Sequence, residues 1–152
     1  MAYTNPQAAS VGLSEDQAEE AGYEVLTGTA AIAASPMAMI QGVSSGVVKV
    51  VGEKKYGELL GVHILAPFAT EIIGAGALAI QMEATLEDLA RAALPHPTIA
   101  ESLSDAAREA LGWAIYIPCG CQRMKANFGV ARRLAVAAAY LMYASLRKAC
   151  AP

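Results

Sequence analysis

The segment best suited to chemistry is Pro95-His96-Pro97-Thr98, which is followed three residues later by Glu101. Because His96 lies between two prolines, its backbone is biased toward an extended conformation. Free imidazole titrates near pH ~6.5, so a histidine on a stiff loop is suited to general acid–base catalysis. Glu101, in the first turn of a predicted helix, can point back and hold the second ring nitrogen. The segment therefore predicts an acid–base pair formed by His96 and Glu101.

The same residues also have a purely structural interpretation. Thr98 and Glu101 are spaced as in a capping box, in which a threonine and a glutamate close the first turn of a helix. This spacing predicts a helix that Thr98 caps and that runs to about Leu111, before Gly112. Glu101 would then be only a helix cap and His96 an ordinary loop residue. The residues alone leave both interpretations open.

A glycine-rich segment, Gly74-Ala75-Gly76-Ala77-Leu78-Ala79, matches the dinucleotide-binding pattern G-x-G-x-x-G/A. That kind of site needs a strand directly before the glycines, so that the pyrophosphate meets a helix N-terminus. Here residues 67–73 already have a helical pattern, and no second strand with an acidic residue follows about twenty positions later. We therefore predict that the glycines lie inside a helix and allow close packing, and we reject a nucleotide site.

The elements that must position these residues follow from hydropathy patterns and turn signals. The predicted strands are residues 9–12, 23–32, 47–51 and 59–65, and the predicted helices are 15–21, 71–82, 86–93 and 99–111. Capping boxes are predicted at Ser14, with Gln17, and at Thr85, with Asp88. A further apolar run lies at 37–40. Strands first and helices last predict an α+β fold: an antiparallel β-sheet with helices packed on one side. His63, on the second strand of the predicted hairpin, is expected to be structural.

The charged residues are unevenly distributed along the chain. All fourteen acidic residues lie between Glu15 and Glu109, and with five basic ones they give residues 1–118 a net charge of about −9. From Cys119 onward there is no acidic residue, and six basic ones follow. We therefore predict one domain over 1–118 and a separate basic, alanine-rich tail over 119–152. The tail fits a helix on an anionic membrane surface, a helix packed on a dimer of that domain, or foreign sequence.

Composition restricts the partners and the compartment. A net charge of −3 argues against nucleic acid as a partner. The longest uncharged apolar run, 134–146, is about 20 Å long as a helix against a hydrocarbon core of roughly 30 Å. This run is too short to span a membrane, so the sequence does not favour a membrane as partner. The N-terminal residues lack the basic start and apolar run of a secretory signal. Three cysteines without metal-ligand spacing predict no metal site and fit the cytoplasm.

Five segments, in order along the chain, carry a resemblance to a known family. They are YTNPQAASVGLSE at 3–15, Gly61-Val62-His63-Ile64, the helix through Ala79-Ile80, Leu86-Glu87-Asp88-Leu89-Ala90, and His96-Pro97-Thr98-Ile99-Ala100-Glu101. Together they resemble the C-terminal dimerisation domain of the flavin-dependent pyridine nucleotide–disulfide oxidoreductases. Within that family the chain is most similar to the dihydrolipoamide dehydrogenases. The resemblance covers about residues 2–118.

The resemblance implies a mechanism for a complete enzyme, in which a dithiol reduces a disulfide beside FAD and the electrons pass through the flavin to NAD. His96 would take the proton of the substrate thiol, since the thiolate is the attacking species, and Glu101 would orient it. The resemblance also implies a homodimer with a cis His96–Pro97 peptide, so that His96 and Pro97 lie next to the flavin of the opposite subunit. Many members carry a second histidine where this chain has Leu94.

Other parts of such an active site are missing from the chain. The family's redox pair is C-x4-C on an N-terminal FAD domain, a spacing that Cys119, Cys121 and Cys150 do not supply. We therefore expect FAD and NAD only in the complete enzyme, bound by the missing FAD- and NAD-binding domains. The chain alone is expected to hold neither cofactor and not to turn over. A 2-oxo acid dehydrogenase complex is a further partner that the resemblance suggests.

Two alternatives stay open. The chain could be a stand-alone dimerisation or interaction domain without catalysis. It could also be a relative of the mercuric reductases, in which Cys119 and Cys121 would handle metal or electrons, although the cysteine pairs of those relatives are adjacent and Gly120 separates these two.

Overall fold

Four antiparallel strands form the sheet that supports residues 1–115, the part of the chain that this computed structural model describes. The strands are β1 Gln7–Gly12, β2 Val25–Ala31, β3 Val47–Glu53 and β4 Leu59–Ala66. They lie in the order β1, β4, β3, β2. Because side chains alternate between faces, Val48 and Val50 of β3 and Val62 and Ile64 of β4 all enter one apolar core.

Helices complete the domain and cover mainly the core face of the sheet. They are α1 Glu15–Glu20, α2 Pro36–Ile40, α3 Ala69–Gln81, α4 Leu86–Arg91 and α5 Glu101–Ala110. Helix α3 packs on β1 and β4, α5 packs on β2 and β3, and α4 packs against α5. The predicted α+β fold with an antiparallel sheet is confirmed. The apolar run at 37–40 is helix α2, which begins with Pro36, a residue whose fixed φ suits the first helical position.

Helix α1 lies at one end of the opposite face of the sheet. Its Ala18 is buried with Val51 of β3 and Leu60 of β4, whose side chains point away from the main core. Ser14 caps this helix, and Gln17 returns the bond to the Ser14 backbone, as the sequence predicted. Helices α3 to α5 thus lie on one side of the sheet, as predicted, whereas α1 lies on the other side and covers a small second cluster.

Gly28 is the point where helix α5 comes closest to the sheet. A Cβ atom added at Gly28 would lie 2.0 Å from the carbonyl oxygen of Ala106 and 2.5 Å from the backbone nitrogen of Ala110. No side chain fits in that space, so the glycine lets the helix backbone rest directly on β2. Since α5 begins with Glu101, this contact also fixes the position of that carboxylate relative to the sheet.

The two glycines of the nucleotide-like pattern lie inside helix α3, as predicted. A Cβ atom at Gly76 would lie 3.0 Å from the side chain of Val62, so this glycine allows close packing on β4. Gly74 differs, because a Cβ atom there would meet nothing within 4 Å. Of the two, only Gly76 serves helix packing.

The capping box predicted at Thr98 is present only in part. The backbone N–H of Thr98 donates to the Glu101 carboxylate at 2.8 Å, as in a capping box. However, the helix begins at Glu101 with Ala100 as its N-cap residue, and the Thr98 hydroxyl donates instead to the carbonyl oxygen of Pro95 at 2.9 Å. The two other predicted capping boxes, at Ser14 and at Thr85, are present.

Within residues 1–115 no helix is long and apolar enough to cross a membrane, and no cluster of three possible metal ligands occurs. The boundary predicted at residues 118 and 119, the basic tail, and Cys119, Cys121 and Cys150 lie outside the described residues.

Candidate active site

The loop between α4 and α5 carries His96 at its centre. The peptide bond between His96 and Pro97 is cis, as the family resemblance implied. The imidazole is largely exposed, with 61% of its side-chain surface accessible, whereas the Glu101 side chain is 23% accessible. The loop thus presents the ring to the outside and keeps its partner partly covered.

The structure brings His96 and Glu101 together, as the spacing predicted. Nδ1 of His96 lies 2.9 Å from Oε1 of Glu101. An ionised carboxylate can only accept hydrogen bonds, so Nδ1 carries the hydrogen and donates it. In the neutral ring this leaves the lone pair on Nε2, the nitrogen that remains available to take a proton.

The second oxygen of Glu101 is also engaged. Oε2 accepts a hydrogen bond from the backbone N–H of Thr98 at 2.8 Å. Burial by itself raises the pKa of Glu101, but the bonds from Thr98 and His96 and the positive charges of His96 and Arg108 outweigh it, so its pKa is lowered. The carboxylate is therefore ionised at neutral pH and held at both oxygens.

A second ion pair lies farther along the same helix. Arg108 donates to Asp105 at 3.0 Å, one turn after Glu101. Burial raises the pKa of Asp105; the bond and charge of Arg108 act in the opposite direction, and the charge of Glu101 adds to the increase. Arg108 thus contributes positive charge to both carboxylates of the first two turns of α5.

The site is open on one side. A groove of about 320 Å³ lies beside the loop, and its lining includes Met37, Phe68, Ile72 and Pro97. Pro97 and Thr98 line this groove, so it adjoins the loop that carries the exposed imidazole.

His63, the second histidine of the chain, lies in a different environment. Its Nε2 donates to the carbonyl oxygen of Leu13 at 3.0 Å, and its Nδ1 accepts from the hydroxyl of Ser10. Burial lowers the pKa of His63; the Leu13 bond opposes this effect, and the nearby charge of Lys49 adds to it. Both ring nitrogens are used within the sheet, which supports the structural role expected for this residue.

The glycine-rich pattern does not form a nucleotide site. Gly74 and Gly76 lie in the middle of a helix, so their backbone N–H groups are not presented at a helix N-terminus. Of the two residues expected to border a flavin, His96 is exposed on its loop and Pro97 is half-buried beside it.

Two contacts of Thr98 support the site. Its backbone N–H donates to Oε2 of Glu101, which is one of the two bonds of the predicted capping box. Its carbonyl oxygen accepts from the buried Ser35 hydroxyl at 3.4 Å. This second contact was not predicted, because nothing local to Ser35 indicates it.

A family model described as the dimerisation domain of the pyridine nucleotide-disulphide oxidoreductases matches residues 1–107. The chain belongs to this family. Among the curated relatives is a dihydrolipoyl dehydrogenase of Rhizobium etli, which is 42% identical to this chain over 110 residues. Those residues cover 72% of this chain and 23% of that protein. A dihydrolipoyl dehydrogenase of Thermus scotoductus is 43% identical over 115 residues, which are 76% of this chain and 25% of that protein.

Solved structures give the same assignment. LpdA from Mycobacterium tuberculosis has a TM-score of 0.65 at 26% identity, with 70% of this chain and 23% of that chain covered. The HOCl-induced flavoprotein disulfide reductase RclA from Escherichia coli has a TM-score of 0.64 at 28% identity, with 68% and 24% covered. The chain is thus the dimerisation domain of a dihydrolipoamide dehydrogenase-like disulfide oxidoreductase, and it spans about a quarter of the length of the curated relatives it matches.

Proposed function

We propose that this dimerisation domain supplies His96 and Glu101 as the acid–base pair for dithiol–disulfide exchange at the FAD and disulfide site of the partner subunit. The observation that carries the proposal is the exposed imidazole whose Nδ1 is held by an ionised carboxylate. Because Nδ1 is bonded to Glu101, Nε2 is the ring nitrogen that can take a proton from a substrate thiol. The names of the relatives support a dihydrolipoyl group as the dithiol.

His96 would act by moving a proton. A thiol attacks a disulfide only as the thiolate, so Nε2 of His96 takes the proton while the substrate sulfur bonds to one sulfur of the disulfide and releases the other. The second thiol passes its proton to the enzyme thiolate released first, and its sulfur then attacks the substrate sulfur of the mixed disulfide. This closes the substrate disulfide and releases the second enzyme sulfur as a thiolate beside the protonated His96, so the enzyme disulfide is reduced to a thiol and a thiolate. Glu101 stabilises the imidazolium that forms and keeps the ring in one orientation.

The cofactors belong to the complete enzyme in this proposal. When bound by the FAD- and NAD-binding domains, the flavin and the nicotinamide would carry the electron pair away from the reduced disulfide. Pro97 and the backbone of His96 would lie next to the flavin that the opposite subunit binds. The proposed assembly is therefore a homodimer. We further propose that this homodimer works in the cytoplasm and serves a 2-oxo acid dehydrogenase complex.

Mixed dimers test the claim that His96 serves the partner subunit. Residues 1–118 replace the matching segment of the Thermus scotoductus enzyme, which is 43% identical over 115 residues, to give an active chimaera. One subunit carries His96→Ala, and the other has both redox cysteines replaced by serine. Each homodimer should be deficient in dithiol oxidation, whereas the mixed dimer should recover up to about half of the wild-type rate, because one intact disulfide meets one intact His96.

The matched control places both changes on one subunit and pairs it with an unchanged subunit. If His96 acts across the interface, this dimer stays deficient, since the intact disulfide faces the altered partner. The reverse result, an active control and a deficient first dimer, would overturn the proposal, as would equal activity in both dimers.

A further inference from the structure

We infer that Thr98 is a positioning residue of this site: its hydroxyl closes the turn over residues 95–98, which frees its backbone N–H to hold Glu101. The positioning itself is a property of the described residues. Its consequence for dithiol exchange rests on the proposed function of His96.

The inference starts from an exchange of hydrogen-bond donors in the turn. In a common β-turn the N–H of the fourth residue donates to the carbonyl oxygen of the first. Here the Thr98 hydroxyl makes that closure, 2.9 Å from the Pro95 oxygen, while the Thr98 N–H donates to Oε2 of Glu101 at 2.8 Å. One residue therefore satisfies two acceptors with two different donors.

This division of donors fixes the carboxylate. With Oε2 bonded to the Thr98 N–H, the Glu101 side chain cannot rotate without breaking a charge-assisted bond. Oε1 is then presented to Nδ1 of His96 at 2.9 Å. The tautomer of His96 thus depends on Thr98, although the Thr98 side chain does not contact the imidazole.

Ser35 contacts the main chain of the same residue at its carbonyl group, in the next peptide along the chain. Its hydroxyl is 3.4 Å from the Thr98 carbonyl oxygen, a long bond, and its side chain is buried at the start of helix α2. The Thr98 main chain thus bonds both to the start of α2 and to Glu101 at the start of α5.

Replacement of Thr98 by valine removes the hydroxyl and leaves the size of the side chain nearly unchanged. The Pro95 carbonyl then has no hydroxyl donor, and the N–H of residue 98 becomes the nearest replacement, in competition with Glu101. Serine keeps the hydroxyl and is the matched control. We therefore expect Thr98→Val, and not Thr98→Ser, to release Oε2 of Glu101.

The two histidines of the chain make the effect measurable without catalysis. His96 donates from Nδ1, whereas His63 donates from Nε2 to Leu13, so their neutral rings are opposite tautomers. Nitrogen-15 shifts of the ring atoms in the full 152-residue chain distinguish the two tautomers. Thr98→Val should change His96 to a mixture of tautomers and leave His63 unchanged, which also shows that the domain is folded; Thr98→Ser should match the wild-type chain.

A second measurement needs no variant. In the wild-type chain the amide proton of Thr98 should shift with the protonation of Glu101, at a pH below the ordinary range of a glutamate, because burial is outweighed by the bonds and charges around that carboxylate. An unchanged His96 tautomer in folded Thr98→Val, or a Thr98 amide that does not follow Glu101, would overturn the inference.

The failure of the inference and that of the proposed function can be told apart in the chimaera. Thr98→Val should slow reduction of the enzyme by the dithiol about tenfold, with Thr98→Ser close to wild type. If the tautomer changes in Thr98→Val but the dithiol step does not, the positioning by Thr98 stands and the proposed role of His96 is wrong.

Discussion

Glu101 uses its two oxygens for two different partners, His96 Nδ1 and the Thr98 backbone N–H. The sequence offered these partners as competing interpretations, a catalytic orienter and a helix cap. In the structure the carboxylate makes both contacts. What the sequence could not give was the role of the Thr98 hydroxyl, because the turn that places it beside Pro95 depends on backbone conformation and not on residue spacing.

Glu101→Gln separates the two contacts at the level of a single atom. The amide oxygen of glutamine can accept one of the two hydrogen bonds, but its NH₂ group can accept none, and the negative charge is lost. In the chimaera we expect a slower dithiol step than in the wild type, with a smaller loss than for His96→Ala. Rapid-mixing kinetics of enzyme reduction by dihydrolipoamide measures both.

Glu101→Asp is the second variant at this position, since it keeps the negative charge but has a shorter side chain. If Glu101→Gln reacts at the wild-type rate, the carboxylate is only a local structural element and the acid–base assignment loses its orienting partner.

The environment of His63 predicts how stability depends on pH. Burial lowers its pKa, against the effect of the Leu13 bond and together with the charge of Lys49. The unfolded ring therefore binds a proton at pH values where the folded ring does not, so the free energy of unfolding falls as the pH drops below ~6.5. Each unit of lowered pKa corresponds to about 1.4 kcal/mol. Urea unfolding at pH ~7.5 and ~5.5 measures the loss.

The control for this measurement is His63→Gln, which removes the titrating group and leaves the other charged residues in place. The wild-type chain should lose more stability between the two pH values than the variant. Equal losses would show that His63 does not contribute to the pH dependence.

At the scale of elements, the hairpin and the longer helices were predictable because their signals are local. Runs rich in β-branched and apolar residues mark β3 and β4, and Ser14 and Thr85 mark the starts of α1 and α4. The packing partner of each element was not predictable. Nothing in the neighbourhood of Gly28 indicates that α5, some eighty residues later, will rest on it.

Gly28→Ala tests that packing contact. The added methyl group would collide with the backbone of α5, 2.0 Å from the Ala106 oxygen, so we expect a loss of about 1–3 kcal/mol in the free energy of unfolding. Gly74→Ala is the matched control, because its methyl group would meet nothing within 4 Å in the middle of α3 and should be neutral or stabilising by up to about 1 kcal/mol. Urea denaturation of both variants gives the comparison, and similar effects would contradict the packing described for α5.

At the scale of the whole molecule, the acid-rich and acid-free parts of the chain suggest two units. We propose that residues 1–118 are the folding domain and that residues 119–152 are a tail outside its core. The family model of the dimerisation domain matches residues 1–107, which supports the first unit as a domain. A chain that ends at residue 118 should therefore unfold cooperatively, at the same urea midpoint as the full chain. Loss of the cooperative transition would show that the tail belongs to the core.

The proposed function needs more than this domain. His96 is exposed on a loop, and the adjoining groove is open. In the proposed function the reacting disulfide and the flavin belong to other domains of the complete enzyme. The family model describes a dimerisation domain, so we propose that the partner subunit supplies the other side of the site.

The most direct test of this account compares two half-reactions of the chimaera that carries His96→Ala. Reduction of the enzyme by dihydrolipoamide needs the proton transfer assigned to His96 and should slow by about 10²–10⁴-fold. Reduction of the flavin by NADH does not use that proton transfer and should stay within a factor of about two of the unchanged chimaera. A wild-type rate with dihydrolipoamide, or an equal loss in both half-reactions, would contradict the assignment of His96 as the base of dithiol exchange.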